Sequence, residues 1–393
     1  MATADSDSLP TSPRDPGTKP LTVGVLGGGQ LARMMALDAA RLGVRMRFYD
    51  PDDATSALGL GERFVGAWDD EARLAEFIAG CDVITLENEW AELDTLERLR
   101  PADIPLLPSA ATLGWIANKL TQKDRAREAG IPVGDYRACN NVEEALAAAK
   151  DYGYPLVLKA PTHGYDGYGN ATVRDDASLR EAFPKLARGG VVLAEAFVPF
   201  VRELAVLVAR RADGVAAVYP VAFTRQEDHR CVAVELPAPS SEAVQARARE
   251  LTIAVAEAFE IVGIMAAELF ELPSGELLLN EISPRPHNSG HYTIDACSSS
   301  QFDNHLRAIL GWPLGDTSLR RPAAVMVNIL GQREGIARPH AVAEGLRVTD
   351  ANLHIYGKRE VRPQRKMGHV TVVGDQLDSV RDRAMRAAAE VRL

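Results

Sequence analysis

The sequence predicts an α/β protein, α+β over its whole length, built from several domains. Three observations carry this. Residues 21–108 alternate short apolar strands with helical stretches, the pattern of an open parallel sheet. Residues 109–317 hold two hairpin-like passages separated by an alanine-rich helix near residues 240–260. Residues 318–393 are strand-rich and form a small C-terminal unit. At 393 residues the chain has room for two or three separate cores.

Residues 1–20, MATADSDSLPTSPRDPGTKP, are rich in Pro, Ser, Asp and Thr and lack an apolar run. They read as a disordered tail and not as a secretory signal. In LTVGVLGGGQLARMMALDAARLGVRMRFYD, Val23, Val25 and Leu26 form a strand and the glycines at 27–29 a turn. Leu31, Met34, Met35 and Leu42 follow at helical spacing, and Asp50 ends the second strand. CDVITLENEW is a further buried strand, ending at Glu87 and Glu89. Ligands of such sheets bind beyond the strands' carboxyl ends, so Glu87 and the glycine turn face one crevice.

The middle unit begins after LPSAAT with a helix in ANKLTQKDRAREAG, then the strand YPLVLKA, the glycine loop PTHGYDGYGN and the strand GVVLAEAFV. The hairpins are ELAVLVARRADGVAAVYPVA and MAAELFELPSGELLLNEI; the last segment contributes AVMVNIL, LHIYGK and MGHVTVV.

Composition narrows the function. Hydrophobic residues are 46% and charged residues 25%, and the net charge of −10 argues against a general nucleic-acid surface. No apolar run of about 18 residues is present, so no membrane-spanning helix is expected. The four cysteines lie far apart with no C-x-x-C pair. That fits a reducing, cytoplasmic setting and neither a disulfide framework nor a zinc site.

Five constellations carry chemistry. Gly27-x-Gly29-x-x-Ala32, with Asp50 about twenty residues on, approaches a dinucleotide fingerprint, although many doubly wound domains need such glycines. In the second hairpin, with Ser274-Gly275 at the turn, pairing Leu272 with Leu277 puts Phe270 opposite Leu279 and Glu268 opposite Glu281. Two carboxylates with Cβ atoms about 5 Å apart repel unless a cation lies between them, and Mg²⁺ typically takes one or two carboxylates plus phosphate oxygens. Asn280 must then point away unless the strand bulges. Lys159 leaves a buried strand beside Gly164, Gly167 and Gly169, a point charge next to exposed amides that suits phosphate. EAFVPFVREL offers backbone groups near Glu195 for a base edge and Glu203 for ribose hydroxyls. Finally, YGKREVRPQRKMGH gathers Lys358, Arg359, Arg362, Arg365 and Lys366 in an acidic protein. A solvated face and a phosphate site are rival readings of that cluster.

Together these residues resemble the ATP-grasp superfamily, and more narrowly its 5-(carboxyamino)imidazole ribonucleotide synthase family of purine biosynthesis. The likeness runs from LGGGQLARM through LTQK, GYDGYGN, EAFVPF and NEISPRPHNSGHYTIDACSSSQFDNHLRAILGWPLG to YGKREVRPQRKMGHVTV. It implies a Rossmann-like pre-ATP-grasp domain at 21–108, an ATP-grasp domain at 109–317 with a mobile lid about 121–194, and a C-terminal domain at 318–393. It also implies ATP, Mg²⁺ (with Mn²⁺ as a substitute), bicarbonate and aminoimidazole ribonucleotide as ligands, in a homodimer.

By the same resemblance Glu268 and Glu281 are the metal ligands, with Asn280 beside them. Lys119, Lys159, Gly164, Tyr165, Asp166, Gly167 and Gly169 meet the phosphates of ATP. Glu195, Ala196, Phe197 and Val198 form the adenine hinge, and Glu203 binds the ribose. Gln30, Leu31, Glu87, Asn288, Lys358, Arg365 and Lys366 surround the ribonucleotide, while Arg285 and His287 hold bicarbonate and the transferred group.

Two departures stand out. Tyr168 replaces the cation of the family's G-Y-D-G-K/R-G loop, and in FTRQEDHRC Gln226 stands where the family has histidine, with His229 three residues on. Arg225, His229 and Arg230 are the candidates to compensate. Three alternatives stay open: an ATP-grasp carboxylase or ligase acting on another amine, a catalytically impaired paralogue that retains ligand binding, and an NAD-dependent dehydrogenase resting on the glycine turn and Asp50 alone.

Overall fold

The computed structural model describes residues 19–88, 91, 93–162, 169–187, 190–227 and 230–393. The first unit is a four-stranded parallel sheet in the order Glu62–Val65, Arg45–Asp50, Thr22–Leu26, Val83–Leu86. All four residues of Val83–Leu86 are buried, as expected of a strand with both faces covered. The helix Gln30–Arg41 leaves the glycine turn and buries Leu31, Met34 and Met35 against the sheet.

The predicted helix in ANKLTQKDRAREAG is Lys119–Glu128, and a separate helix, Ala110–Ala117, comes directly before it. Asn118 separates them. Its extended backbone ends the first helix, and its side chain accepts the Leu120 and Thr121 N–H groups at 2.9 and 3.3 Å, so it caps the second. Lys119 is therefore a first-turn residue, aimed from a fixed helix start.

A four-stranded antiparallel sheet follows in the order Tyr136–Cys139, Val192–Ala196, Leu156–Lys159, Asn170–Val173. Helices Val142–Tyr152 and Asp176–Ala187 cover one face of it. The Leu156–Lys159 hairpin closes with Lys159 opposite Asn170, and Gly169 at φ +84° makes the return.

The largest sheet has nine strands. Its main path runs Leu277–Ser283, Gly263–Glu271, Arg202–Arg210, Ala222–Glu227, Arg230–Leu236, Ala323–Leu330, Lys366–Gly374, Ala351–Ile355. Ala216–Val218 pairs with Arg202–Arg210, as the first hairpin predicts. Arg230–Leu236 pairs directly with Ala323–Leu330, so the strand-rich C-terminal segment continues the central sheet. The buried Glu235 straddles that junction between Arg225 and Arg381, at 2.9 and 2.7 Å. None of the described helices is long and apolar enough to cross a membrane.

Candidate active site

The second hairpin places its two glutamates as the alternation predicts: Glu268 lies opposite Glu281. Beyond them the register shifts. Leu269 pairs with Leu279, Phe270 with Leu278 and Glu271 with Leu277, so the expected Phe270–Leu279 and Leu272–Leu277 pairings do not form. A bulge with Asn280 as the extra residue accounts for the slip, and Leu272 instead donates to the Glu276 carbonyl at 2.9 Å across the turn. The bulge frees Asn280 and Glu281 from strict alternation, and both are half-buried where a regular strand would bury one of them.

Charge at this end of the sheet is crowded. Glu203, on the neighbouring strand opposite Phe270, adds a third carboxylate. Burial, followed by the Glu203 and Glu281 charges, pushes the Glu268 carboxyl up to about 8. Burial also raises Glu203, against the hydrogen bond that Gln226 Nε2 gives its Oε1 at 2.8 Å. Burial would raise Glu281 as well, but Lys119 Nζ stands 2.7 Å from Oε2 and holds it below the usual carboxylate range.

Behind Lys119 lies a second ionic group. Buried Glu195 takes Lys159 Nζ at 2.9 Å and Lys123 Nζ at 3.4 Å. Burial works against the Glu195 charge, and the two ammonium groups outweigh it, so its carboxyl is lowered. Burial lowers Lys123 despite its Glu195 partner, with Lys159 and Lys119 adding repulsion. Thus Glu195 organises two lysines with its side chain. Ala196 ends the strand, donating its N–H to the Asp135 carbonyl at 2.9 Å. Phe197 beyond it is 46% exposed and Val198 half-buried, so the strand stops short of Val198.

After Glu281 the chain turns along the carboxylates. His287 Nε2 is 3.8 Å from Glu268 Oε1 and its Nδ1 is 2.8 Å from Ser289 Oγ. Arg285 Nη1 donates to the Pro286 carbonyl at 3.1 Å, and its charge reaches Glu87. Asn288 is buried in a reciprocal amide pair with Asn328, at 2.9 and 2.8 Å.

The glycine turn is occupied by the protein's own anions. Asp50 Oδ2 accepts the Gly28 N–H at 2.7 Å, and Glu87 accepts those of Gly29 and Ala32 at 2.5 and 3.1 Å. This removes the basis of the dinucleotide reading, which needs those amides for a pyrophosphate and Asp50 for a ribose. Gln30 opens the helix half-buried, and Leu31 is a core residue.

Gly357, at φ +71°, lies beside Arg33 and Ser56, which brings the basic loop against the first unit. There Lys358 Nζ donates to the Lys366 carbonyl at 2.7 Å and Arg365 Nη1 to the Glu360 carbonyl at 2.9 Å. The Lys366 charge is felt at Glu268. Carboxylates, lysines and basic loop therefore converge between the first unit and the central sheet.

Another group of metal-type ligands, Asp295, His354 and His369, brings its ligand atoms within 4.8 Å of one another. The His354 and His369 rings stack at 4.5 Å and 17°, and Asp295 Oδ2 lies 2.9 Å from His354 Nε2.

Comparison with known proteins decides the family. Residues 21–117 match the ribonucleotide synthetase preATP-grasp domain, 124–302 the ATP-grasp domain, and 324–383 the phosphoribosylaminoimidazole carboxylase C-terminal domain. The N5-carboxyaminoimidazole ribonucleotide synthase of Synechocystis is 38% identical over 92% of this chain and 94% of its own. This chain belongs to that synthase family.

A chloroplastic phosphoribosylaminoimidazole carboxylase of Vigna aconitifolia is 39% identical over 93% of this chain, which spans 66% of that longer protein. The Aspergillus clavatus N5-carboxyaminoimidazole synthase, solved with ADP and 5-aminoimidazole ribonucleotide, superposes with a TM-score of 0.85. It shares 34% identity, covering 94% of this chain and 99% of that one. The fold is ATP-grasp, preceded by a preATP-grasp domain and followed by the family's C-terminal domain.

Within this synthase family fold, the structure brings Glu203, Glu268, Glu281, Lys119, Lys159, His287 and Lys366 to one end of the central sheet. Gly164, Tyr165, Asp166 and Gly167, with Tyr168 and His229, lie outside the described residues. Sequence reasoning missed Lys123, although its spacing of one helical turn from Lys119 in NKLTQK puts both on one face. It also missed Gln301, whose only signal was its place in the SQFDNHLRAI run.

Proposed function

We propose that this chain carboxylates 5-aminoimidazole ribonucleotide with bicarbonate at the expense of ATP, giving N5-carboxyaminoimidazole ribonucleotide, ADP and phosphate. One observation carries the reading: opposed Glu268 and Glu281 lie among two sets of cations, Lys119 on Glu281 with Lys123 and Lys159 gathered behind it on Glu195, and Lys366, whose charge is felt at Glu268. The acidic centre suits a cation-bound triphosphate, and the two sets of cations suit two anionic ligands.

The donor set fits Mg²⁺, with Mn²⁺ able to replace it. Three carboxylates crowd together, and burial followed by their repulsion pushes the Glu268 carboxyl up to about 8, which an oxygen-seeking divalent cation relieves. Glu268 and Glu281 would hold it, with Asn280 alongside. Bound there, it neutralises charge on the phosphates during transfer.

The residues of the chain position the rest. Lys119 and Lys159 neutralise phosphate oxygens, and Lys123 with Glu195 fixes Lys159. Glu203 accepts the ribose hydroxyls of ATP, and Ala196 to Val198 meet its base. A bicarbonate oxygen attacks the γ-phosphorus as the bond to ADP breaks. The exocyclic amine then takes the carboxyl carbon, phosphate leaves, and the nitrogen loses a proton. Arg285 and His287 hold the carboxyl group between the two halves, and water exclusion protects it. Gln30, Lys358, Arg365 and Lys366 hold the ribonucleotide. Glu87 and Asn288 act by shaping its pocket, given their hydrogen bonds within the protein. The segment at about 121–194 serves as the lid. A homodimer in the cytoplasm belongs to the same reading, which sedimentation and cell fractionation test.

The decisive assay is ADP release with Mg²⁺ and ATP, with and without aminoimidazole ribonucleotide and bicarbonate. Release that requires both co-substrates is the expected result. Tight ribonucleotide binding without turnover would mark an impaired paralogue, the reading favoured by Gln226 and Tyr168. Turnover with another amine in its place would redirect the substrate.

A further inference from the structure

Gln301 opens the helix Gln301–Ile309 with no solvent exposure, and the chemistry above makes no use of it. Its Oε1 accepts the His287 N–H at 2.8 Å. Its Nε2 donates to the His287 carbonyl at 2.8 Å and to His291 Nδ1 at 3.0 Å. Its own N–H donates to Thr293 Oγ1 at 2.9 Å. Both amide hydrogens and the amide oxygen are thus engaged, and a flipped amide would set N–H against N–H and oxygen against oxygen. The arrangement also fixes His291, which accepts at Nδ1 and carries its proton on Nε2. Space is closed around the amide as well: a Cβ at Gly290 would collide with Leu207 and with Gln301 itself.

We infer that Gln301 is a positioning residue for the carboxyl transfer, clamping the peptide groups on both sides of His287 so that its imidazole stays beside Glu268. The inference rests on the role proposed for His287. Ser289 orients the ring, while the Gln301 amide grips the backbone that carries it from both sides, sharing the His287 carbonyl with the Gly290 N–H at 3.0 Å. Reacting groups misplaced by about 1 Å lose on the order of 10²-fold in rate, so a clamp of this kind acts on turnover and not on nucleotide affinity.

The test is a double-mutant cycle in the full chain, assayed with Mg²⁺, ATP, bicarbonate and aminoimidazole ribonucleotide. Gln301→Leu should lower kcat about 30- to 100-fold while KM for ATP stays within about twofold. His287→Ala should lose at least as much, and the double variant no more than His287→Ala alone. Losses that multiply would show Gln301 acting independently of His287 and overturn the clamp. So would a Gln301→Leu kcat within about twofold of wild type, whatever its thermal stability. Full activity in His287→Ala would fail the His287 assignment itself, an outcome distinct from multiplying losses. Should Gln301→Leu not fold, Gln301→Glu takes its place in the cycle: it keeps the size and the acceptor for the His287 N–H but loses both donors.

Discussion

The glycine turn at 27–29 and the hairpin around Glu268 and Glu281 both look, in sequence, like places to hold a nucleotide. In the folded chain they are opposites. The turn's amides are answered from within by Asp50 and Glu87, so charge and hydrogen bonding close there. At the hairpin three carboxylates face one another with Lys119 as the close cation of Glu281, and Glu268 is left holding a proton up to about pH 8. A motif marks where a ligand can approach. Uncompensated charge marks where one is required.

Glu281→Gln should break the open half most severely. It removes one proposed metal ligand and the partner of Lys119, and turnover should fall roughly 10³-fold with the fold retained. ADP release measures the loss and circular dichroism the fold. Wild-type activity in this variant would end the metal assignment.

Glu87→Ala should break the closed half in a different currency. It leaves the Gly29 and Ala32 N–H groups without their acceptor, at about 1–3 kcal/mol for each buried group. Urea denaturation should show that loss while KM for ATP stays within about twofold. Unchanged stability with a raised KM for ribonucleotide would make Glu87 a ligand contact instead of a cap.

How far the two halves could be told apart beforehand depended on what each residue needed. Strand alternation put Glu268 opposite Glu281 because register follows a two-residue period. That period could not show the bulge at Asn280, which shifts only the pairs nearer the turn. The parallel sheet, the hairpins and the C-terminal strands were legible for the same reason: burial leaves a periodic trace. Asn118 as a helix break, Glu195 as a lysine clamp and the Asn288–Asn328 pair leave none, since each depends on a partner brought close only by the fold. Asp50 and Glu87 were visible as acids near glycines, yet sequence could not say whether they would face a ligand or the backbone.

The two halves are pinned together by His305. Its Nδ1 accepts the Ile264 N–H at 3.0 Å, and its Nε2 meets Thr85 Oγ1 at 2.9 Å, one strand residue from Leu86 and the Glu87 turn. Burial drives this imidazole down to about 3. An unfolded histidine titrates near 6.5, so between those values the unfolded chain binds the extra proton. The contribution is therefore whole above about pH 6.5 and is lost as pH falls toward 3. His305→Leu should be less stable than wild type at pH 7.5, and the gap should narrow at pH 5. A gap that stays constant would mean that the imidazole's protonation is not what couples the halves to acid.

The smallest expected effect concerns Gln226, the position that the family resemblance sets against a histidine. Gln226 Nε2 donates to Glu203 Oε1, opposing the burial that raises that carboxyl. Losing the donor in Gln226→Leu forfeits one hydrogen bond, about 0.5–1.5 kcal/mol, and shifts Glu203 toward its protonated form. If Glu203 binds the ribose as a carboxylate, KM for ATP should rise about two- to tenfold with kcat little changed. Gln226→His is the sharper comparison. A neutral imidazole can still donate one N–H to Glu203, so at pH 8 the amide and the imidazole should serve equally, with kcat within about twofold. A tenfold gain in kcat would mean that the open half of this molecule had lost function at position 226. Parity would mean that the amide does the same work of keeping a crowded carboxylate charged and oriented.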